Sequence, residues 1–293
     1  MISLPLTVPS NYHQDFITRY NRLTEYNNKT LLFAADHLIE KDIQQQPQHL
    51  FTIAREAQLS MATQTGLISR YSLPSTGEKA TSYIIKLTAK TPGQIIRGTD
   101  PFSTPLQTIN ELETFLNHNG SIISGIGLTL FIGSEYEEKM LSFAAKTIIQ
   151  AHERGLPVIL WTYIRGNKIK PADQITLLPF AANLATSLGA DFAKLQIPEE
   201  NLEQYEMLLL KTKSCAGNTR LLFAGGTKTE PKELFKKTNY IVHHLNWDGG
   251  AIGRALFMHS TDSACLIAQT MTKLMAGQIT YNEAIAQTKQ ISQ

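Results

Sequence analysis

The stretch Asp191-Phe192-Ala193-Lys194-Leu195-Gln196-Ile197 places one lysine inside a short apolar run. Pro198 follows directly and predicts a turn, so the run is typical of a buried strand that ends there. A lysine in such a strand is costly unless its amine is paired or takes part in chemistry. Two interpretations of Lys194 are open. Either its stem packs while the amine reaches the rim of the sheet, or burial favours a neutral amine that attacks a carbonyl and forms a Schiff base.

Further apolar runs lie along the chain on either side of this strand, separated by helical patterns. Continuous apolar runs are typical of parallel strands covered on both faces, and about eight strand–helix units predict an α/β fold, the (β/α)8 TIM barrel. An open doubly wound sheet is the competing architecture, but no Gly-rich dinucleotide loop follows the first strand. No linker or repeat divides the chain, so residues 1–293 are predicted to form a single barrel with a short helical lead-in over about 1–28.

The predicted strands are Thr30–Ala35, Leu59–Ala62, Tyr83–Leu87, Ile122–Gly133, Pro157–Tyr163, Asp191–Ile197, Arg220–Ala224 and a short run near Ile252. The predicted helices include Pro47–Ala57, Pro105–Leu116, Leu177–Leu188, Leu202–Lys211 and a closing helix over Thr261–Met275.

Composition excludes several classes of protein. The 27 basic residues nearly balance the 25 acidic ones and form no long run, which argues against nucleic acid or an anionic membrane as a partner. Cys215 and Cys265 are too few for a disulfide framework, and no apolar stretch is long enough to span a membrane. The first ten residues, broken by Pro5 and Pro9, do not resemble a signal peptide. These features predict a cytoplasmic protein.

Reactive side chains follow several of the predicted strands. In a barrel of this kind the carboxyl ends of the strands form one face, where chemistry takes place. Asp36 ends the first strand, and Trp161, Tyr163 and Arg165 alternate in the fifth, so all three point to the same side. With Lys194 they form a coherent set for carbon–carbon bond cleavage, in which Lys194 forms an iminium and Tyr163 or Asp36 moves protons. The alternatives are a capping role for Asp36, a wall position for Trp161 and a plain turn at Arg165.

Glycine pairs end the seventh and eighth strands and predict a phosphate site. Gly225-Gly226 lets the backbone approach a ligand closely, Thr227 adds a hydroxyl, and Arg254 after Gly253 adds a positive charge. The eight histidines show no ligand spacing for a metal, so neither a metal nor another cofactor is predicted.

Six segments together resemble the archaeal-type class I fructose-bisphosphate aldolases, within the wider group that includes deoxyribose-phosphate aldolase. The resemblance runs from about Leu31 to beyond Phe257, and the segments stand in the family's order. They are LLFAADHLIE (31–40), LFIGSEYEEKML (130–141), AHERGLPVILWTYIRG (151–166), LGADFAKLQIP (188–198), LLFAGGTKTE (221–230) and GGAIGRALF (249–257).

The resemblance implies metal-free, reversible cleavage of fructose 1,6-bisphosphate to dihydroxyacetone phosphate and glyceraldehyde 3-phosphate by a homo-oligomer. It implies that Lys194 is the Schiff-base lysine, Tyr163 the proton donor and Asp36 the acidic residue near the substrate hydroxyls, while Trp161 lines the site. It also implies that phosphate groups bind at Arg165, Gly225, Gly226, Gly253 and Arg254.

The sequence departs from the family at Gln196-Ile197, where a tyrosine is common, and at Ala255, where an asparagine is usual. The identity of the sugar phosphate therefore stays open. So do three other functions: a transaldolase-like or other phosphosugar reaction on the same lysine, sugar-phosphate binding without catalysis, and a metal-dependent aldolase.

Overall fold

Eight apolar runs form a closed barrel of parallel strands in a computed structural model of the chain. Each strand pairs with the next along the chain, and the last pairs with the first through Thr30 and Gly249. The predicted (β/α)8 TIM barrel is confirmed. The strands are β1 Thr30–Ala34, β2 Ser60–Thr63, β3 Tyr83–Lys86, β4 Ile123–Ile132, β5 Val158–Ile164, β6 Phe192–Leu195, β7 Arg220–Ala224 and β8 Gly249–Ile252.

The structure describes residues 4–40, 45–72, 81–199, 201–226 and 230–291. Within these ranges a helix or a helical turn follows each barrel strand. The α-helices are α1 His13–Leu23, α2 His37–Glu40, α3 Pro47–Glu56, α4 Thr65–Tyr71, α5 Pro92–Ile96, α6 Glu113–Asn119, α7 Glu137–His152, α8 Asp173–Thr176, α9 Leu178–Leu188, α10 Glu206–Cys215, α11 Pro231–Asn239, α12 Arg254–Phe257, α13 Thr261–Met275 and α14 Tyr281–Ile291. Shorter helical turns are the 3-10 segments Ser10–Tyr12, Asn110–Leu112, Gly120–Ile122 and Leu202–Tyr205 and the π segment Tyr240–His244.

The strands separate two hydrophobic cores because successive side chains point to opposite faces. On β1, Leu31 and Phe33 face outward into the large core between the strands and the helices. Leu32 faces inward, into a smaller core that fills the barrel. Trp161 of β5 and Phe192 of β6 also point into the barrel and belong to the same interior core as Leu32.

The lead-in helix α1 covers the amino-terminal end of the barrel. Its buried side chains Phe16, Tyr20 and Leu23 belong to the interior core, and the Tyr20 ring lies 5.2 Å from that of Phe192. The Arg19 guanidinium fixes the helix by donating to the carbonyls of Arg154 and Gly155 at 2.9 and 2.8 Å. No helix of the described residues is both long and apolar enough to cross a membrane.

Three predictions about local structure are wrong. The segment Pro105–Leu116 does not begin as a helix, because Thr104–Pro105 pairs with Thr88–Ala89 in a small antiparallel ribbon and α6 begins at Glu113. The lysine strand is shorter than predicted, from Phe192 to Leu195. The helix over Thr261–Met275 does not close the chain, because α14 follows it.

Candidate active site

Lys194 lies on β6 and is 5% exposed. Its Cα is the register partner of Trp161 on β5, so the two side chains leave neighbouring strands on the same face. The Lys194 amine is 5.5 Å from the centroid of the Trp161 ring, within the range of a cation–π contact. Lys194 is therefore a barrel-interior lysine at the carboxyl end of its strand.

A second lysine, Lys86 at the end of β3, contacts the same tryptophan. Its side chain is fully buried, and its amine lies 3.9 Å from the centroid of the Trp161 ring. Gly127 on β4 makes room for the contact, because a Cβ there would lie 2.7 Å from Trp161 Cζ3 and 2.8 Å from Lys86 Cδ. Burial lowers the pKa of Lys86, while the charges of Asp36 and Glu40 oppose that effect.

Asp36 is buried between the Lys86 amine and the His37 ring. Its carboxylate lies 3.5 Å from the Lys86 amine and 3.5 Å from His37 Nδ1, and the Lys86 amine also donates to Thr129 Oγ1 at 2.7 Å. Burial alone would raise the pKa of Asp36, but the charges of Lys86, His37 and Lys194 together lower it. Asp36 is therefore an ionised carboxylate at neutral pH.

Tyr163 follows Trp161 by two residues on β5 and faces the same interior. Its ring packs on that of Phe131 at 5.9 Å, and the Arg165 guanidinium lies 5.1 Å from the ring centroid. Burial and the charges of Asp36 and Glu40 raise the pKa of Tyr163, so the phenol keeps its proton. Gln196, one of the departures from the family, accepts a hydrogen bond from Arg165 at 2.6 Å and so holds the guanidinium beside the tyrosine.

The glycine-rich ends of β7 and β8 lie side by side, as predicted. The Arg254 guanidinium donates to the Gly226 carbonyl at 2.7 Å, and its Nε is buried without a hydrogen-bond partner among the described residues. Gly226 has a φ of 75°, which favours glycine. The Gly225 N–H is used by the sheet, since it donates to the Ala251 carbonyl at 3.1 Å. Thr227 lies outside the described residues.

Two further features tie these strand ends to the rest of the site. A Cβ on Gly253 would lie 2.4 Å from the Ala34 carbonyl oxygen and 2.7 Å from the His37 ring, so glycine lets β8 approach the Asp36 turn. The charge of Arg254 acts on the pKa of Tyr163, which it lowers against the stronger effect of burial. The site residues predicted from sequence thus fall into two adjoining groups, one around Trp161 and one around Gly226.

Comparison with known proteins agrees with this arrangement. Residues 30–259 match the sequence profile of the DeoC/LacD family aldolases, and this range contains all eight barrel strands. The chain belongs to the DeoC/LacD family of aldolases.

Three of the proteins to which this aldolase is similar illustrate the relationship. A fructose-bisphosphate aldolase/6-deoxy-5-ketofructose 1-phosphate synthase from Methanocaldococcus jannaschii is 34% identical over 278 residues, which cover 90% of this chain and 86% of the relative. A class 1 fructose-bisphosphate aldolase from Thermoproteus tenax is 26% identical over 272 residues, covering 88% of this chain and 94% of the relative. The solved fructose-bisphosphate aldolase of Slackia heliotrinireducens superimposes with a TM-score of 0.89 at 29% identity, covering 99% of this chain and 94% of that one.

Sequence reasoning missed two ionisable groups of the aldolase site. Lys86 stands in the apolar run Tyr83–Lys86, the same signal that singled out Lys194. Glu40 ends α2 four residues after Asp36, a spacing that places both carboxyls on one side of a helical turn. Lys86 could therefore have been found from the sequence. Glu40 could be assigned to the site only from the geometry of the turn between β1 and α2.

Proposed function

We propose that this aldolase cleaves fructose 1,6-bisphosphate reversibly to dihydroxyacetone phosphate and glyceraldehyde 3-phosphate through a Schiff base on Lys194. The observation that carries the proposal is the position of the Lys194 amine, inside the barrel beside Trp161 and within the electric field of Asp36. The names of the Methanocaldococcus jannaschii and Thermoproteus tenax relatives support the substrate.

The proposed reaction begins when the Lys194 amine attacks the C2 carbonyl, and loss of water from the carbinolamine gives an iminium. Removal of the C4 hydroxyl proton lets that oxygen form the aldehyde carbonyl. The C3–C4 bond breaks, and its electrons move to C2–C3 to give an enamine and neutralise the nitrogen. Protonation of C3 and hydrolysis of the iminium then release dihydroxyacetone phosphate.

Tyr163 and Asp36 have different parts in this scheme. Tyr163 keeps its proton because its pKa is raised, so we assign it the delivery of a proton to C3. Asp36 is held ionised, so it accepts hydrogen bonds from substrate hydroxyls and stabilises the positive iminium. Lys86 is a positioning residue, because its charge keeps Asp36 ionised.

The substrate's two phosphates fit two groups of positive charge. One is formed by Arg254 beside Gly225, Gly226 and Gly253 at the ends of β7 and β8. The other is Arg165, which lies beside Tyr163 at the end of β5. Gly225 contributes the lack of a side chain rather than a donor, because its N–H is already bonded.

A second candidate is a condensation on the same lysine with another phosphosugar. The relative from Methanocaldococcus jannaschii is named as a 6-deoxy-5-ketofructose 1-phosphate synthase as well as an aldolase. Lys194 would form the same iminium in both reactions, so the aldehyde partner distinguishes them.

Borohydride reduction in the presence of dihydroxyacetone phosphate, followed by intact-mass and peptide analysis, tests the proposal. We expect a reduced adduct on Lys194 and cleavage of fructose 1,6-bisphosphate that persists in excess chelator. An adduct without cleavage would support the second candidate. Activity lost to the chelator, or a folded protein that binds the ligand but forms no adduct, would contradict Schiff-base chemistry.

We also infer a homo-oligomer located in the cytoplasm. Phe180 on α9 (49% exposed) and Met207 on α10 (81% exposed) are large apolar side chains on the outer helices, and we propose them as candidate positions for subunit contacts. Light scattering after size exclusion would give the mass, and a mass equal to one chain across micromolar concentrations would contradict the assembly.

A further inference from the structure

Glu40 is a carboxyl that the proposed steps do not use. It ends α2, one helical turn beyond Asp36. Its Oε1 is excluded from solvent and has no hydrogen-bond partner among the described residues. A buried carboxyl oxygen without a partner is unusual, because burying it unbonded costs free energy that a protein normally avoids. Such an atom is available to a ligand that brings its own hydroxyl.

Charged groups from three strand ends surround Glu40. Burial and the charge of Asp36 raise the pKa of Glu40 to about 7, against the opposing charges of three lysines. The titratable and charged groups that face it are Asp36 from its own turn, Lys86 from β3, Lys90 after β3, Tyr163 from β5 and Lys194 from β6. Neighbouring carboxyls whose pKa values are pushed apart are typical of acid–base pairs in enzymes.

Two proton transfers on oxygen in the proposed reaction have no group assigned to them. The carbinolamine hydroxyl must gain a proton to leave as water, and the C4 hydroxyl must lose one before the C3–C4 bond breaks. Asp36 is held ionised, which makes it a poor acid, and Tyr163 holds its proton, which makes it a poor base. A group that titrates near neutral pH is suited to both transfers.

We propose that Glu40 is a catalytic acid and base of this site, exchanging one proton with the oxygen atoms of the ketose substrate. The assignment rests on the proposed aldolase function. In this scheme Glu40 gives and takes a proton, whereas Asp36 remains negatively charged throughout.

The two transfers balance without any further reactant. The Glu40 carboxyl gives its proton to the carbinolamine oxygen, the C2–O bond breaks with its electrons on the departing water, and the nitrogen lone pair forms the iminium. The resulting Glu40 carboxylate takes the proton of the C4 hydroxyl, whose O–H electrons form the aldehyde carbonyl. Glu40 is thereby protonated again after each cleavage.

The test is Glu40→Gln, which keeps the size of the side chain and removes the titrating proton. We expect kcat for fructose 1,6-bisphosphate cleavage to fall by about 10²-fold or more, the usual size of an acid–base contribution. We also expect the limb near pH 7 to disappear from the pH profile of kcat/KM. The control is Glu153→Gln, an exposed glutamate just after α7, which should match the parent in both measurements.

A second variant, Glu40→Asp, keeps a carboxyl and should retain a displaced pH limb with a smaller loss of kcat. It also serves if Glu40→Gln does not fold. Cleavage by Glu40→Gln within about threefold of the parent, with the limb unchanged, would overturn the role of Glu40. In that case borohydride adducts on Lys194 in both proteins would leave the aldolase function standing. A parent protein that neither cleaves the bisphosphate nor forms an adduct would overturn both proposals.

Discussion

Both ends of the barrel contain carboxylates close to cations, but the two ends treat them differently. At the amino-terminal end, Asp191 Oδ2 accepts the Val158 N–H at 2.7 Å and lies 3.1 Å from His152 Nε2. Asp248 Oδ2 there accepts the Leu221 N–H at 2.8 Å and the Lys213 amine at 2.5 Å. At the carboxyl end the contacts of Asp36 to Lys86 and His37 are 3.5 Å long, and Glu40 has an oxygen without a partner among the described residues.

The two ends of the barrel use their carboxylates for different purposes. Short bonds to backbone N–H groups fix the amino-terminal carboxylates as parts of the framework, where they join the starts of neighbouring strands. Longer and incomplete contacts at the carboxyl end leave charge available for a ligand. Substitutions at the two ends should therefore separate activity from stability.

The largest expected effect is that of Lys194→Ala. Turnover should fall by more than about 10⁴-fold, because removing a nucleophile abolishes the covalent route, while the far-UV spectrum and melting temperature stay close to those of the parent. The matched control is Lys213→Ala at the other end, which should melt earlier but keep kcat per folded molecule. Turnover by Lys194→Ala within a few-fold of the parent would end the Schiff-base proposal.

Tyr163→Phe should lower kcat by about 10²- to 10³-fold, since only the hydroxyl that delivers the proton is lost. Borohydride should still trap the Lys194 adduct at the parental yield. A variant that turns over normally but has a raised KM would instead make the phenol a binding group.

Asp191→Ala should act on stability alone. It leaves the His152 ring and the Val158 N–H without their acceptor, at a cost of about 2–4 kcal/mol in the free energy of unfolding. Urea unfolding would measure the loss, and kcat should stay within twofold. Asp36→Asn is its counterpart at the carboxyl end, and equal losses of kcat in the two variants would contradict the division between the ends.

The smallest expected effect concerns Lys237, a buried lysine on α11. Burial lowers the pKa of Lys237 to about 8, against the opposing charge of Glu199. Above that pH the unfolded chain still binds the proton that the folded chain has lost, so this lysine makes stability rise with pH until the ordinary lysine pKa is reached.

Lys237→Met should remove that rise, whereas Lys236→Met, its exposed neighbour, should keep it. The measurement is the free energy of unfolding in urea at several pH values between 7.5 and 10, compared with the parent. Parallel pH curves for the parent and Lys237→Met would contradict the assignment.

Much of the barrel could be predicted because parallel strands covered on both faces must be apolar throughout. The strands at Thr30, Ile123 and Arg220 agree with the predicted ranges to within a residue at each end. The helix predicted from Pro105 failed because the pairing of Thr104–Pro105 with a distant strand overrides local propensity. Such pairings join residues too far apart for a periodic pattern to indicate.

Some features of the candidate site could likewise be predicted from the sequence, and others could not. Alternation along β5 correctly predicted that Trp161 and Tyr163 share a face, since period-two geometry fixes it. The burial of Glu40 could not be predicted, because it depends on how α2 leaves the end of β1. The use of the Gly225 N–H by the sheet depends likewise on the register between β7 and β8.

The lead-in helix α1 has a consequence for the order in which the chain is built. A ribosome makes α1 before any barrel strand, yet its docking partners Gly155 and Phe192 emerge more than a hundred residues later. During synthesis the apolar side chains of Phe16, Tyr20 and Leu23 therefore lack their final contacts until β6 has emerged. Helix α1 therefore docks late in folding although it is synthesised early. Until it docks, its exposed apolar side chains make the growing chain prone to aggregation.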